Sequence, residues 1–276
     1  MDFNTSTSVP LLLLLLLLGF SKAHDDNDQG AVHDLSMDQS AKEDFTATIL
    51  RMNNGSSDFL LEGDVMIPNT RNAMKCINEP YSCLWPKSAN GYVEIPFILS
   101  EKYDYSEKTL ILAAMRGFQS KTCVRFIPRA TQRAYLSIEP RYGCSSLLGY
   151  TGDKQVLSLQ RYGCINNGII QHEMLHALGF YHEHTRSDRD QYIRINWENI
   201  NKYFVYNFRK MDTDNLNTPY DYSSVMHYGR TAFGTQRQET ITPTYDPSAT
   251  IGQREGLSNI DIFRINKLYR CWGFSG

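Results

Sequence analysis

Apolar residues in the middle of this 276-residue chain fall into short runs that predict strands around one long helix. The first run is apolar at nearly every position, as in a buried strand, and the second alternates apolar with polar residues. A strand, a helix and a second strand of this length predict a βαβ unit, and two later runs can add strands to the same sheet. The candidate strands are residues 92–99, 123–127, 134–138 and 155–159.

Apolar positions three and four residues apart predict the helices. A second helix is predicted at about residues 167–179, a short one near residues 197–204, and a last one capped by Ser258, with Asp261 three residues on. The chain from about Thr185 onward is otherwise rich in loops. The residues predicted to face inward are Ile111, Ala114, Met115 and Phe118 on the long helix and Ile262, Ile265 and Leu268 on the last one.

The first 23 residues have the pattern of a secretory signal peptide. Eight consecutive leucines, residues 11–18, are followed by the small-residue cleavage site Ser21-Lys22-Ala23. The apolar run is too short to span a bilayer, and no other stretch of the chain is long enough. We therefore expect a secreted protein with no stable membrane insertion.

Residues 24–71 are expected to be an activation pro-segment that precedes a peptidase domain of residues 72–276. Residues 24–58 are rich in Asp, Ser, Asn, Gln and Gly, which predicts a loosely ordered stretch, and they carry a glycosylation sequon at Asn54. Residues 59–68 are more apolar, as though they dock on the domain. Arg71 then offers a basic cleavage point that exposes Asn72.

Charge divides the chain at the same place. The first 71 residues hold 4 Lys+Arg against 11 Asp+Glu, a net charge of −7, whereas the remainder holds 24 against 19, a net charge of +5. The positive charge of the second part is dilute and contains no run of Lys or Arg. We therefore expect no nucleic-acid partner.

Six cysteines all follow Arg71. An even number in an exported chain indicates three disulfides, and spacing alone leaves fifteen pairings open. The cysteines are Cys76, Cys83, Cys123, Cys144, Cys164 and Cys271.

His172 and His176 stand four residues apart, so a helix presents both imidazoles on one face, where they can bind one metal ion. Glu173 lies beside them, within reach of water on that metal. At about 100° per residue, a continuous helix would carry His182 roughly 240° away from His176, onto the wrong face. Gly179 can take the positive φ that ends the helix and turns the chain back toward the metal.

Three neutral imidazoles and an open position are typical of a catalytic zinc site, since structural zinc sites are closed by four protein ligands. Zinc lowers the pKa of bound water toward about 7, and we expect Glu173 to act as the general base for peptide hydrolysis. His184 and His227 are interpreted as structural residues. A thermolysin-like site with Glu as third ligand is disfavoured, because His182 completes the longer pattern.

With these motifs the chain resembles the metzincins and, within them, the astacin family. The resemblance covers residues 72–276 and rests on the run from His172 to Glu183, on His184-Thr185-Arg186, and on the turn Ser224-Val225-Met226-His227-Tyr228. It implies an α+β fold whose N-terminal lobe has a twisted mixed five-stranded sheet and two helices. An irregular C-terminal lobe with a terminal helix completes the fold, and the active-site cleft lies between the lobes.

The resemblance also implies roles for single residues. Met226 is implied to lie under the zinc as a structural base, and Tyr228 to be an outer zinc ligand that swings away to stabilise the transition state. Glu183 is implied to help anchor the mature amino terminus through water. The implied disulfides are Cys123–Cys271 and Cys144–Cys164, which leaves Cys76 with Cys83.

Astacin pro-segments carry a Phe-x-Gly-Asp motif whose Asp ligates zinc in place of water. This chain has Leu61-Glu62-Gly63-Asp64, in which Leu replaces Phe. Asp64 is therefore the expected zinc ligand of the zymogen, and a mere turn at Gly63-Asp64 is the alternative interpretation.

Six cysteines on a bare catalytic domain resemble the hatching enzymes of fish, whose substrate is the egg envelope. That resemblance predicts a secreted, monomeric zinc endopeptidase, stored in secretory granules as a zymogen and activated by a trypsin-like protease. A digestive or other matrix-degrading astacin is the nearest alternative. A catalytically inactive matrix-binding module is less favoured, because every group needed for catalysis is present. A structural envelope component is less favoured again, because it would need no latency segment.

Overall fold

The computed structural model describes residues 44–67, 83–253 and 255–274, all within one compact unit, Lys42–Gly276. The expected signal peptide, the cleavage point between Arg71 and Asn72, and Cys76 lie outside the described residues. Within them, no helix is long and apolar enough to cross a bilayer.

In the second half of the chain, one predicted helix does not form, and two strands, Ile193–Ile195 and Ile241–Pro243, form where none was predicted. The short helix predicted near residues 197–204 is wrong, because only single 3₁₀ turns form there, at Trp197–Asn199 and Val205–Phe208. Further 3₁₀ turns occupy Glu183–Thr185, Arg189–Gln191 and Thr235–Arg237. In chain order the helices and strands are α1 Phe45–Asn53, β1 Leu60–Leu61, β2 Val65–Met66, β3 Val93–Leu99, α2 Tyr105–Gln119, β4 Val124–Pro128, β5 Tyr135–Glu139, β6 Cys144–Leu147, β7 Lys154–Leu159, α3 Asn167–Ala177, β8 Ile193–Ile195, β9 Ile241–Pro243 and α4 Asn259–Leu268.

The predicted mixed sheet is confirmed. Strands β3, β4, β5 and β7 are parallel, β6 runs antiparallel to β7, and these five strands have the order β6-β7-β5-β3-β4. The hairpin β1–β2, within the expected pro-segment, extends the sheet beyond β6, with β2 parallel to β6. Strand β6 was not predicted, since Cys-Ser-Ser-Leu shows no alternation of apolar and polar residues. A second sheet joins β8 to β9 in the later part of the chain.

Helices α2 and α3 pack against the sheet and against each other and form the main core. The predicted inner face of α2 is buried at Ile111, Ala114, Met115 and Phe118. A second apolar cluster lies in the later part of the chain and includes Phe208 and Tyr228. The zinc-motif helix α3 is buried along almost its whole length, so its polar residues must be satisfied inside the protein.

Two disulfides that join described residues brace the domain. Cys123 joins Cys271 across 148 residues, which ties the start of β4 to the chain just after α4. Cys144 joins Cys164 and links β6 to the loop that leads into α3. The expected pairing of Cys76 with Cys83 stays a prediction, because Cys76 lies outside the described residues.

The prediction that residues 24–58 are loosely ordered is wrong for α1. Asp44 caps this helix by accepting a hydrogen bond from the backbone N–H of Ala47 at 2.7 Å. Phe45, Ile49 and Met52 lie four and three residues apart and join the main core. Their apolar face stabilises a helix that local composition disfavours.

Candidate metal and peptidase site

Helix α3 carries the first two candidate ligands. The side chain of Asn166 caps the helix by accepting a hydrogen bond from the N–H of Gly168 at 2.9 Å. His172 and His176 then follow one turn apart, both buried, with ring centroids 4.9 Å from each other. The two rings therefore lie side by side on one face of the helix, as their four-residue spacing predicted.

Gly179 ends the helix and redirects the chain. Its φ is 98°, its N–H bonds the carbonyl of His176, and the N–H of Phe180 bonds the carbonyl of Leu175. This pattern is a Schellman motif, which requires the left-handed conformation that glycine adopts at no steric cost. The turn brings His182 to within 4.7 Å of His176, centroid to centroid.

Each of the three rings has an acceptor at its Nδ1 atom. The acceptors are the carbonyl of Val225 for His172 at 2.8 Å, the carbonyl of Phe180 for His176 at 2.7 Å, and the Glu62 carboxylate for His182 at 2.6 Å. A ring whose Nδ1 donates a proton keeps Nε2 free as a ligand. These acceptors orient the three rings so that every Nε2 atom faces the same point.

The three Nε2 atoms converge on Asp64 of the pro-segment. They lie 3.0, 3.3 and 3.3 Å from its carboxylate oxygens, in the order His172, His176 and His182. Among the described residues, these four side chains form a group able to hold one metal ion. Within the same residues, Nε2 of His176 and Oδ1 of Asp64 are buried without a hydrogen-bond partner. Three imidazoles and one carboxylate, with orphaned ligand atoms facing each other, fit Zn²⁺.

Burial raises the pKa of Asp64, but the charges of His182 and His176 and bonds to the rings outweigh it and hold this pKa well below its usual value. The carboxyl group therefore stays ionised, as a metal ligand must be. Asp64 is placed by the turn between β1 and β2, in which Glu62 and Gly63 have φ of 52° and 84°. Two positive φ values in succession are typical of a type I′ hairpin turn.

Glu173 lies in the same buried space. Both of its carboxylate oxygens are fully buried and have no hydrogen-bond partner among the described residues. Burial raises its pKa well above the usual value, and the negative charge of Asp64 adds to the effect. A carboxylate in such surroundings accepts a proton readily.

The turn from Ser224 to Tyr228 supports the site from one side. Its Val225 carbonyl orients His172, and its Met226 carbonyl accepts a hydrogen bond from the N–H of Glu183 at 3.0 Å. The turn is itself held by Asp261 of α4, which accepts bonds from the hydroxyl of Ser224 at 2.6 Å and the N–H of Val225 at 3.0 Å. Asp261 thus connects the cap of the last helix to a metal-binding histidine.

Tyr228 lies against the histidines. Its ring stacks on His184 with 3.7 Å between centroids and meets His182 edge-on at 4.6 Å. Its hydroxyl donates a hydrogen bond to the backbone carbonyl of Glu62, so the pro-segment occupies it. Burial raises the pKa of this phenol well above its usual value, so the hydroxyl keeps its proton and acts as a donor.

Glu183 has its own partners in this structure. Arg264 approaches both carboxylate oxygens, at 2.5 and 2.9 Å, and the N–H of Asp221 donates to one of them at 2.7 Å. Burial nevertheless raises the pKa of Glu183. Asn72 lies outside the described residues, so the expected link between Glu183 and the mature amino terminus stays a prediction.

His184 and His227 lie outside the group of metal-binding side chains. His184 bonds the carbonyl of Asn207 at 3.0 Å, and His227 bonds the hydroxyl of Tyr220 at 2.8 Å. Both are buried beside the turn, in keeping with structural roles.

Sequence reasoning missed Glu62, Asp261 as a support of the turn, and Arg264. Glu62 belongs to the same four-residue motif as Asp64, and this was the sequence feature that could have indicated a role for Glu62 at the metal site. Asp261 was recognised as part of a helix cap, but its contact with Val225 depends on the tertiary fold. Nothing in the local sequence links Arg264 to Glu183, 81 residues away.

A mixed sheet over a helix that carries a buried three-histidine metal site defines a zinc-dependent peptidase. The peptidase family described as Astacin matches residues 82–270. The chain therefore belongs to the astacin family and is a zinc metalloendopeptidase that acts on proteins. The resemblance noted in the sequence is confirmed.

Individual relatives narrow the comparison. The chain is 59% identical over 274 residues to the low choriolytic enzyme of Oryzias latipes, which covers 98% of this chain and 100% of that protein. It is 50% identical over 264 residues to high choriolytic enzyme 1 of the same fish, which covers 94% of this chain and 97% of that protein. The solved structure of high choriolytic enzyme 1, a hatching enzyme zinc-protease, matches with a TM-score of 0.68 at 54% identity and covers 72% of this chain and 100% of that one.

Proposed function

We propose that this enzyme digests egg-envelope proteins at hatching and is made as a zymogen that its own pro-segment keeps silent. The observation that carries the proposal is the convergence of Asp64 on His172, His176 and His182, because it combines a complete peptidase site with a built-in block. The choice of substrate is supported by the relatives, which are named choriolytic enzymes.

In the proposed mechanism, His172, His176 and His182 hold the zinc ion. Bound zinc supplies Lewis-acid chemistry, which polarises a carbonyl group and makes water more acidic. Glu173 accepts the proton of the attacking water and passes it to the nitrogen of the leaving amine, for which its buried, unpartnered carboxylate is suited. The hydroxyl of Tyr228 donates a hydrogen bond to the oxyanion that forms on the scissile carbonyl.

Latency in this proposal has three parts. Asp64 would occupy the coordination position on the metal ion that substrate and water need. The carbonyl of Glu62 engages the hydroxyl of Tyr228, so this donor is not available to an oxyanion. Strand β2 pairs with β6 through Val65 and Met66 and covers the edge where an extended peptide can add as a further strand.

Activation follows from removal of this segment. A trypsin-like protease cuts after Arg71 and exposes Asn72, so that residues 1–23, 24–71 and 72–276 are signal peptide, pro-segment and peptidase domain. Asn54, exposed at the end of α1, carries the glycan. The zymogen is a monomer stored in secretory granules.

The test is to offer activated enzyme to intact egg envelopes of Oryzias latipes and to a general unfolded protein in parallel. We expect envelope proteins to be cut and released into solution, with cut sites identified by mass spectrometry, and a Glu173→Ala variant to release none. Cleavage of the unfolded protein with the envelope left intact would favour the digestive alternative. Failure to cut either substrate would exclude the enzyme mechanism.

A further inference from the structure

We propose that the peptidase domain has a groove for helix α1, and that this groove retains the pro-segment after the chain is cut. The segment, no longer covalently linked to the domain, then inhibits the enzyme in trans. The groove partner is the amphipathic helix α1, Phe45–Asn53 of this chain, with its N-cap Asp44. The inference rests on the proposed cleavage between pro-segment and domain, but it is independent of the role given to Asp64. We define the α1 groove by the glycines that contact this helix: Gly143, Gly163, Gly168 and Gly229.

The apolar face of α1 is part of the main core. Phe45, Ile49 and Met52 are 6%, 1% and 7% exposed, and they cluster with residues of α3 and the sheet. A helix that merely covered the cleft would keep these side chains at its rim. Burial of this extent provides a binding force separate from the zinc ligand.

The groove fits the helix closely because glycines line it. A Cβ atom at Gly168 would lie 1.9 Å from Cε2 of Phe45, and one at Gly163 would lie 2.4 Å from Sδ of Met52. Gly168 lies in the first turn of α3 without a positive φ, so its backbone does not require glycine. The close approach of Phe45 accounts for glycine at this position.

Polar contacts fix both ends of α1. Near the start, Thr46 accepts a hydrogen bond from the N–H of Gly229 at 3.1 Å. At the end, the Asn53 amide donates to the carbonyl of Cys144 at 2.7 Å and accepts from its N–H at 2.8 Å. Asn53 thus pairs with the backbone of β6 in both directions. These buried bonds set the position of the helix along the groove.

A cut between residues 67 and 83 removes the covalent link and none of these contacts. A free nine-residue helix is marginal in water, so α1 forms only while it occupies the groove. Dissociation of the segment, rather than the cut, then opens the cleft. The fraction of active enzyme after the cut is therefore expected to rise on dilution.

The first experiment cuts the full-length precursor with trypsin at Arg71, verifies the cut by mass spectrometry, and applies the product to size-exclusion chromatography. We expect the segment to elute with the domain in the wild type and in Asp64→Ala. Ile49→Ala is expected to weaken retention about thirtyfold or more, the loss typical of truncating a buried isoleucine. Asp58→Ala, at an exposed position of the same segment, is the matched control.

The second experiment is a double-mutant cycle. Gly168→Ala places a methyl group against Phe45 and should weaken retention about tenfold or more, but it should have little further effect in a Phe45→Ala background. Because pro-segment variants can fail to fold, a synthetic peptide of residues 44–58, which lacks Asp64, is also added to the cut wild-type enzyme. It should displace the native segment from the groove.

The proposal is overturned if the wild-type segment separates at once, or if Asp64→Ala alone releases it. Failure of peptide 44–58 to compete would also overturn it. Retention is measured without any substrate, so an enzyme that leaves egg envelopes intact would refute the proposed function and leave this result unchanged.

Discussion

The carboxylate of Glu62 accepts a hydrogen bond from the ring N–H of His182, with 2.6 Å between Oε2 and Nδ1, across 120 residues of sequence. The backbone N–H of His182 donates to the same oxygen at 3.2 Å. Glu62 also engages Tyr228 through its carbonyl. One residue of the pro-segment therefore holds both a metal-binding histidine and the candidate oxyanion donor.

Replacement of Asp64 by alanine is expected to give the uncut precursor peptidase activity, because no pro-segment side chain then blocks the open coordination position of the metal ion. Uncut Asp64→Ala precursor should show part of the activity of the activated enzyme, and a second change, Glu62→Ala, should raise it further by removing the carboxylate that holds His182. Hydrolysis of a fluorogenic peptide by uncut protein measures both. A variant as silent as wild type would argue against Asp64 as the latency ligand.

Glu173→Ala is expected to keep zinc and lose activity. The side chain contacts no metal ligand through a hydrogen bond in the described part of the chain, whereas the proton transfer assigned to it contributes on the order of 10²- to 10⁴-fold to rate. Metal analysis and cleavage of an unfolded protein should be done on one preparation of activated enzyme, with the exposed Glu198→Ala as control. Near-normal cleavage would sink the assignment of the base.

Tyr228→Phe is expected to lower kcat by roughly 10²-fold, the effect of losing one oxyanion donor, with little change in KM. The ring and its stacking on His184 are retained, so zinc content should not change. Steady-state kinetics on the activated enzyme distinguishes this result from a structural role. An increase in KM at constant kcat would instead indicate a contact made equally to bound substrate.

Arg264→Ala is expected to reduce the free energy of unfolding by about 3 kcal/mol, because it leaves the buried carboxylate of Glu183 with only the longer contact to Arg186, at 3.4 Å. The matched control is Arg133→Ala, whose ion pair with Asp153 is largely exposed and should contribute less than about 1 kcal/mol. Denaturant titration of the precursors gives both values. Equal losses of unfolding free energy would show that the buried Glu183–Arg264 ion pair stabilises the fold no more than the exposed one.

Asp261 predicts a specific dependence of stability on pH. Burial raises its pKa from 3.8 to about 6, despite the bonds from Ser224 and Val225 that favour the charged form. Between these values the folded chain binds more protons than the unfolded chain, so the unfolding free energy falls as pH rises. Relative to Asp261→Asn, the wild type should lose up to about 3 kcal/mol between pH 4 and 6. Denaturant titrations at several pH values measure the difference, and a flat or opposite trend would contradict it.

Much of the metal site could be predicted because its rules are local. Spacing places His172 and His176 on one helix face, and the conformational freedom of Gly179 explains how His182 joins them. The acceptors behind the rings could not be predicted in this way. They come from a turn 53 residues away in the case of Val225 and from the pro-segment in the case of Glu62.

Helix α1 shows a different limit. Its apolar positions Phe45, Ile49 and Met52 have helical spacing. The surrounding residues are mostly polar, however, and their composition predicted a loosely ordered stretch. What decides the structure is the domain surface that buries them, and that surface is assembled from distant parts of the chain. The strands β3, β4, β5 and β7 were predictable because their patterns extend over five or more residues.

The disulfide between Cys123 and Cys271 affects how the enzyme resists cleavage by other proteases. It closes residues 123–271 into a covalent ring that contains every histidine of the metal site and all of the irregular second half of the chain. A single nick anywhere in the loops between these cysteines leaves both fragments attached to each other. Inactivation then requires the nicked ring to unfold, so the irregular second half of the chain can expose long loops without the enzyme falling apart when one of them is cut.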